Sequence, residues 1–392
     1  MSLSKGKLRT LIYALAGLGS GSFAPAFAAP ATTPPAPAAR AAQAPKSIMD
    51  LAGLKPIEVA PGAPGSHPLK VAGPGDLTFA PAAIAKAQSY SDSLGGHALL
   101  IWQGGELRYE KYGDGVTADT RFETFSMHKS VLGLVYGAAL RDGIVKSLDQ
   151  TAGEFLPEWA NDPRGKITLR QLLTMESGLS LGPIDVKAKL ALAAKIDVPP
   201  GSRFEYNNAN SEIAGVILNR ALKTAGQGDY AAYLSRVLLQ PLGTGDAHLW
   251  LDHEGGDPRF FAFLQMRARD WLRVGIVMDR QGQFDGAQVL PAAWIKAITT
   301  PSALNPNYGI QVWIGAPWNR YRSYGPRNPI KMSNIEPYRA SDLVFFDGFG
   351  GERVYIAPSL DLVIVRIGEA SLAFDDSIIP NDIIAGMHSP AS

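Results

Sequence analysis

Phe125-Ser126-Met127-His128-Lys129-Ser130 runs directly into Val131-Leu132-Gly133-Leu134-Val135-Tyr136-Gly137-Ala138-Ala139-Leu140, and the reading of the chain turns on this join. The apolar run has the length and composition of a buried helix. A helix starting near Ser126 puts residues three apart on one face, so the Lys129 amine can reach the Ser126 hydroxyl. Its N-terminus also aims backbone N–H groups and the positive end of the dipole at any oxyanion formed there. A serine hydroxyl needs an adjacent base to become a nucleophile, and an amine buried among polar groups can give up its proton near neutral pH. Ser126 and Lys129 are therefore a candidate nucleophile and base. The pattern by itself is cheap, since Ser2-x-x-Lys5 and Ser4-x-x-Lys7 also fit it, and context must single out the third occurrence. His128 lies inside the stretch, but the spacing favours Lys129 as the base.

The two other matches fall in a segment that reads as a secretory signal. Lys5, Lys7 and Arg9 form a basic start, Leu11 to Leu18 an apolar run, and Ala26-Phe27-Ala28 a small-x-small cleavage site. Residues 1–28 are thus expected to be removed after Ala28 and the protein to be exported, into a periplasm. The apolar run is too short to span a bilayer, so no stable membrane span is expected after cleavage. Loss of three cations would take the net charge from +1 to −2, which with no basic tract elsewhere gives no reason to expect nucleic acid. The absence of cysteine excludes a disulfide framework and a thiolate metal site, and suits an oxidising compartment. Residues 29–75 open on an Ala/Pro-rich linker and continue, rich in Pro and Gly, as an irregular surface segment.

The folded body is expected over residues 76–392. A helix from Pro81 to about Leu94 has proline at its start. His97–Trp102 and Glu106–Tyr112, joined at Gln103-Gly104-Gly105, read as a hairpin. Helices follow at Thr168–Met175, where Thr168 can cap, at Asn208–Thr224, Asp229–Leu239, Gln265–Met278 and Pro291–Ile298. Strands then return at Tyr308–Ile314, Asp342–Phe346, Arg353–Ile356 and Leu362–Ile367, with connections short enough to require antiparallel pairing. The expected class is α+β: one antiparallel sheet from about 76–145 and 285–392, flanked by helices, with an all-helical subdomain at about 146–284. Ser126 would lie at the seam.

Two further constellations carry polar chemistry. Gly201-Ser202-Arg203-Phe204-Glu205-Tyr206-Asn207-Asn208-Ala209-Asn210 is a polar loop before a helix, and alternate residues of an extended loop can share a cleft. Tyr206 could relay a proton from Lys129 to a leaving group, and Asn208 could hold Lys129 or a substrate carbonyl. The competing role is an N-cap by Asn207 or Asn208. Phe346-Asp347-Gly348-Phe349-Gly350-Gly351-Glu352 lies between two strands, where glycine lets backbone approach a ligand closely or simply makes a tight turn.

Ser126-x-x-Lys129, Tyr206-x-Asn208 and a glycine-bearing edge strand at Gly348, in that order, resemble the penicillin-recognising serine hydrolases, which include class C β-lactamases, DD-peptidases and family VIII carboxylesterases. Thr168–Leu179 is similar to a helix and turn of that group. Tyr206–Glu212, Arg267–Trp271, Tyr308–Trp313 and Gly348–Gly351 resemble its 6-aminohexanoate-dimer hydrolase branch. The resemblance spans roughly residues 80 to 370. It implies a β-lactamase/transpeptidase-like fold and an acyl-enzyme on Ser126, with Lys129 as base, Tyr206 as proton relay, Asn208 in support and the N–H groups of Ser126 and Phe349 as oxyanion hole. It implies no cofactor or metal, and a small-molecule ester or amide as substrate. The chain departs from the pattern in one place: Phe346-Asp347-Gly348 stands where β-lactamases and DD-peptidases carry a cation on the substrate strand. That weakens β-lactam recognition and favours esters or linear amides. The alternatives are a β-lactamase or DD-peptidase, and a non-catalytic binding protein of the same fold.

Overall fold

The computed structural model describes residues 50–388, apart from 52, 74, 77 and 184. The expected signal segment and the first part of the linker lie outside the described residues. The elements in chain order are β1 (Ile57–Ala60), α1 (Pro81–Ser93), β2 (Gly96–Gln103), β3 (Glu106–Tyr112), β4 (Arg121–Glu123), α2 (Met127–Arg141), α3 (Leu169–Leu173), α4 (Ala188–Leu192), α5 (Asn208–Thr224) and α6 (Tyr230–Leu234). They continue with β5 (Ala247–Trp250), β6 (Leu264–Arg267), α7 (Ala268–Asp279), the small hairpin β7–β8 (Gln283–Phe284, Ala287–Gln288), α8 (Ala292–Ile298) and β9 (Trp313–Ile314). The chain ends with β10 (Tyr321–Ser323), β11 (Lys331–Ser333), β12 (Val344–Asp347), β13 (Arg353–Ala357), β14 (Leu362–Gly368) and α9 (Ile378–Ala385).

The main sheet has six antiparallel strands in the order β3-β2-β14-β13-β12-β9. Its two faces serve two cores, because side chains alternate across a strand. Val363, Val365 and Ile367 of β14 belong to one cluster with Val274 and Val277 of α7, and Leu362 and Ile364 to another with Ala87 of α1 and Ile379 and Ile383 of α9. A sheet covered on both faces needs apolar residues at every position, and Leu362-Val363-Ile364-Val365 is such a run. Helix α7 approaches closely: a Cβ on Gly275 would stand 2.5 Å from Val363 Cγ1.

A second, four-stranded sheet, β1-β5-β6-β4, corrects three expectations. Part of the segment read as irregular is strand β1, paired with β5 from Ile57↔Trp250 to Ala60↔Ala247. The part read as all-helical contributes β5 and β6. The helix expected from Gln265 begins only at Ala268, since Leu264–Arg267 pairs with β4. These strands are short, and β1 and β4 meet partners far along the chain, so their pattern carries little local sign of pairing. Only Trp313–Ile314 of the expected strand at Tyr308–Ile314 pairs with β12. The residues before it curl back, with Gln311 at φ +59° and its Nε2 donating to Leu173 O. An alternating apolar pattern does not distinguish such a buried turn from a strand. Pro291 sits at the N-cap rather than inside α8.

Helix α2 runs through the middle, buried at every residue from Met127 to Ala139. It starts where β4 of the small sheet ends, and the site is built around that junction.

Candidate active site

Ser126 precedes α2 in helical conformation, φ −69° and ψ −3°, and Phe125 before it has φ +48°. A left-handed non-glycine residue is strained by about 1–3 kcal/mol and needs outside support. Glu123 supplies it, its Oε1 accepting the Phe125 N–H at 2.6 Å and the Phe263 N–H at 3.1 Å. The sharp turn leaves Ser126 half-buried while Lys129, one turn on, is only 1% exposed. The nucleophile candidate is reachable and the base candidate is dry.

Lys129 Nζ lies 2.7 Å from Ser126 Oγ and 2.6 Å from the Phe261 carbonyl oxygen. The carbonyl can only accept, so an amine N–H points there, and a neutral amine has its lone pair left for the serine proton. Burial lowers the Lys129 amine from 10.5 to about 7, against an opposing pull from Asp347 and Glu212. The Tyr206 phenol hydrogen-bonds with the Ser126 side chain, and its ring lies 5.0 Å from Lys129 Nζ. Burial first, and then the Asp347 carboxylate, push that phenol well above its ordinary value, so it stays protonated. Tyr308, Trp313 and Tyr324 box the Tyr206 ring with centroids 5.1–6.0 Å away.

The Phe261 carbonyl sits on a loop, Arg259–Phe263, held at several points. His128 Nδ1 faces the carbonyls of Ala262 at 2.9 Å and Arg259 at 3.1 Å and must donate to them, which leaves Nε2 to accept from Tyr230 Oη at 3.1 Å. Burial lowers this imidazole to about 4. His128 is thus a neutral brace. Glu212 of α5 accepts the Phe260 N–H at 2.8 Å.

On the other side of the turn, Gly348 abuts the backbone that leads into Ser126: a Cβ there would stand 2.5 Å from Thr124 O. Phe349 packs edge-on against Phe125 at 6.1 Å. Among the described residues, neither the Ser126 nor the Phe349 N–H has a hydrogen-bond partner. Phe346 and Asp347, expected on a substrate strand, do not face a cleft. Phe346 is in the core, and Asp347, 4% exposed, accepts from Arg322 at 2.7 and 2.9 Å, pairs with Arg353 at 2.7 Å and accepts from Tyr324 Oη at 2.8 Å. Burial raises Asp347, but the two guanidinium groups outweigh it and hold the carboxyl below its ordinary value. Asn207 is the helix cap, its Oδ1 accepting from Ala209 N–H at 3.0 Å; half-buried Asn208 is the first residue of α5.

A family model described as Beta-lactamase matches residues 82–368. The chain belongs to the β-lactamase family. Its fold agrees with that of a Bacillus anthracis protein assigned as a 6-aminohexanoate-dimer hydrolase, at TM-score 0.68 and 20% identity over 87% of this chain and 91% of that one. It agrees also with EstCE1, a hydrolase with promiscuous acyltransferase activity, at TM-score 0.59 and 16% identity over 78% of this chain and 98% of that one. A curated relative, 6-aminohexanoate-dimer hydrolase of Paenarthrobacter ureafaciens, is 24% identical over 230 residues, 51% of this chain. The chain spans only 56% of that relative's length. Membership makes this a β-lactamase-fold hydrolase in the general sense.

Sequence reading did not find several parts of this β-lactamase-family site. The Phe261 carbonyl has no side-chain signature at all. Arg322 and Tyr324 reach the site from a distant segment, and Glu212, though in the Tyr206–Glu212 stretch, gives no sign there that it holds the Phe260 N–H. Glu123 stands only two residues before Phe125, but among Asp119, Thr120, Arg121 and Thr124 nothing local marks it out.

Proposed function

We propose that this chain is an exported serine hydrolase that cleaves small esters or linear amides through an acyl-enzyme on Ser126. The observation that carries the reading is Lys129 Nζ, buried and lowered to about 7, standing 2.7 Å from a reachable Ser126 Oγ. Neutral Lys129 takes the hydroxyl proton as Oγ adds to the substrate carbonyl. The Ser126 and Phe349 N–H groups receive the oxyanion, each such donor being worth about 100-fold or more in rate. The proton on Lys129 then passes by way of the Tyr206 phenol to the departing alcohol or amine. The ester on Ser126 forms as the substrate bond breaks. Water, deprotonated by the same pair, releases the acid and restores the serine. Tyr206 serves as a protonated relay, since its phenolate is disfavoured by burial and by Asp347.

The preference for esters or linear amides over β-lactams is supported by the engagement of the guanidinium groups coupled to Tyr206. Arg322 and Arg353 are held by Asp347 and Asp376, so neither replaces the cation that β-lactamases and DD-peptidases carry on the substrate strand. Linear amides are supported by the name of the Paenarthrobacter relative. Export rests on the N-terminal pattern, and fractionation of the producing cell tests it.

Intact-mass analysis after fluorophosphonate treatment tests the chemistry. One adduct that maps to Ser126, absent from Ser126→Ala, is expected, followed by turnover of p-nitrophenyl esters and the 6-aminohexanoate dimer. A folded protein that takes no adduct would refute the reading and leave a binding protein. Turnover of nitrocefin in preference to these substrates would move it to the β-lactamases.

A further inference from the structure

Under the Ser126 turn lies a group of buried oxygens that the mechanism above does not use. Glu123 Oε1 holds the Phe125 and Phe263 N–H groups, but Glu123 Oε2, Thr124 Oγ1 and both carboxyl oxygens of Glu352 have no hydrogen-bond partner. Both glutamates are fully buried. Glu352 meets the turn at one glycine: a Cβ on Gly348 would stand 2.9 Å from Glu352 Oε2 and 2.5 Å from the backbone carbonyl of Thr124, the residue that follows Glu123. Glu352 thus braces the oxyanion strand, and Glu123 the left-handed residue before the nucleophile.

Buried carboxyls normally find a cation, and here two are close but engaged elsewhere. Arg366 of β14 donates to the Gly351 and Leu94 carbonyls, and Arg353 of β13 to Asp376 and to the Gly348 and Glu352 carbonyls. With no cation free, a proton is the remaining way to neutralise the site. We propose that Glu123 and Glu352 are positioning residues, a buried carboxyl pair kept protonated in place of an ion pair, which locks the Phe125–Ser126 hinge against the Gly348–Phe349 backbone and so sets the two oxyanion donors. The titration behaviour is in accord. Burial, with Glu352 adding, raises Glu123 well above the ordinary carboxyl range. Burial raises Glu352 to about 8, Arg366 and Arg353 pulling it down and Asp347 of β12 pushing it up.

This inference rests on the hydrolase reading for its kinetic arm only. In wild type, kcat for p-nitrophenyl acetate should fall as pH rises through about 8, when Glu352 ionises against Gly348 and a charge is left buried without a partner. Glu352→Leu should lose about 10-fold or more in kcat with little change in KM, part of the roughly 100-fold that an aligned oxyanion donor supplies. Glu352→Gln should recover much of that loss and lack the alkaline fall. The second arm needs no activity: thermal unfolding is followed against pH for wild type and Glu352→Gln. A carboxyl raised when folded binds more protons folded than unfolded, so wild-type stability falls between the ordinary carboxyl value of 4.5 and about 8. The glutamine variant should therefore gain on wild type across that window. Parallel melting profiles, or an alkaline limb that survives in Glu352→Gln, would overturn the pair. No Ser126 adduct with diverging melting profiles would overturn the hydrolase reading and leave the pair standing.

Discussion

The dry environment of Lys129 makes a quantitative prediction about acylation. At its ordinary 10.5 the amine would be neutral in only about 0.03% of molecules at pH 7, whereas at about 7 it is neutral in about half. Burial therefore raises the fraction of competent base by roughly a thousand-fold. Asp347 and Glu212 work the other way, and the result is an amine poised at working pH rather than one permanently neutral. The perturbation is pH itself, and the assay is the second-order rate of fluorophosphonate inactivation read by intact mass. The rate should rise to a maximum between about pH 7 and 8 and drop about tenfold for each unit below about 6.5, following on that side the neutral fraction of one group. Lys129→Arg, which keeps the charge but never loses its proton, should fall to background at every pH. A flat profile between about pH 5 and 8 would refute the base assignment. So would a limb at about 4, the region in which His128 titrates.

Asp347→Asn should destabilise the fold by about 3–5 kcal/mol in denaturant titration, because Arg322 and Arg353 lose a buried partner and retain their charge. It should also move the acid limb to lower pH, since the lost carboxylate favours protonated Lys129; an unmoved limb would uncouple Asp347 from the base. Gly348→Ala would set a Cβ 2.5 Å from Thr124 O, so the strand must retreat from Ser126. A drop in kcat of about 10-fold or more with near-native circular dichroism is expected, and wild-type kcat would show that Gly348 does not set the oxyanion geometry.

The order of elements, the antiparallel strands at Arg353–Ile356 and Leu362–Ile367 and the helix behind Ser126 were legible because each is written in local pattern. A run buried on both faces is apolar throughout, a capped helix shows its Thr168, and a residue three positions from Ser126 must share its helix face. The β-lactamase resemblance was legible for the same reason, since Ser126-x-x-Lys129 and Tyr206-x-Asn208 are short spacings. Tertiary structure alone decided the rest. β1 joined β5 and β6 in one sheet only because segments nearly two hundred residues apart meet, as Ile57 does Trp250. The polarity of Phe346 and Asp347 could not say which way they face; one entered the core, and the other met Arg322 from a hairpin the pattern did not show. Lys129 was a candidate base by spacing, but its protonation is set by the water excluded around it and by the Phe261 carbonyl, neither of which a residue letter encodes. Sequence fixes which groups can meet along a turn, while desolvation and long-range pairing fix what state they are in when they do.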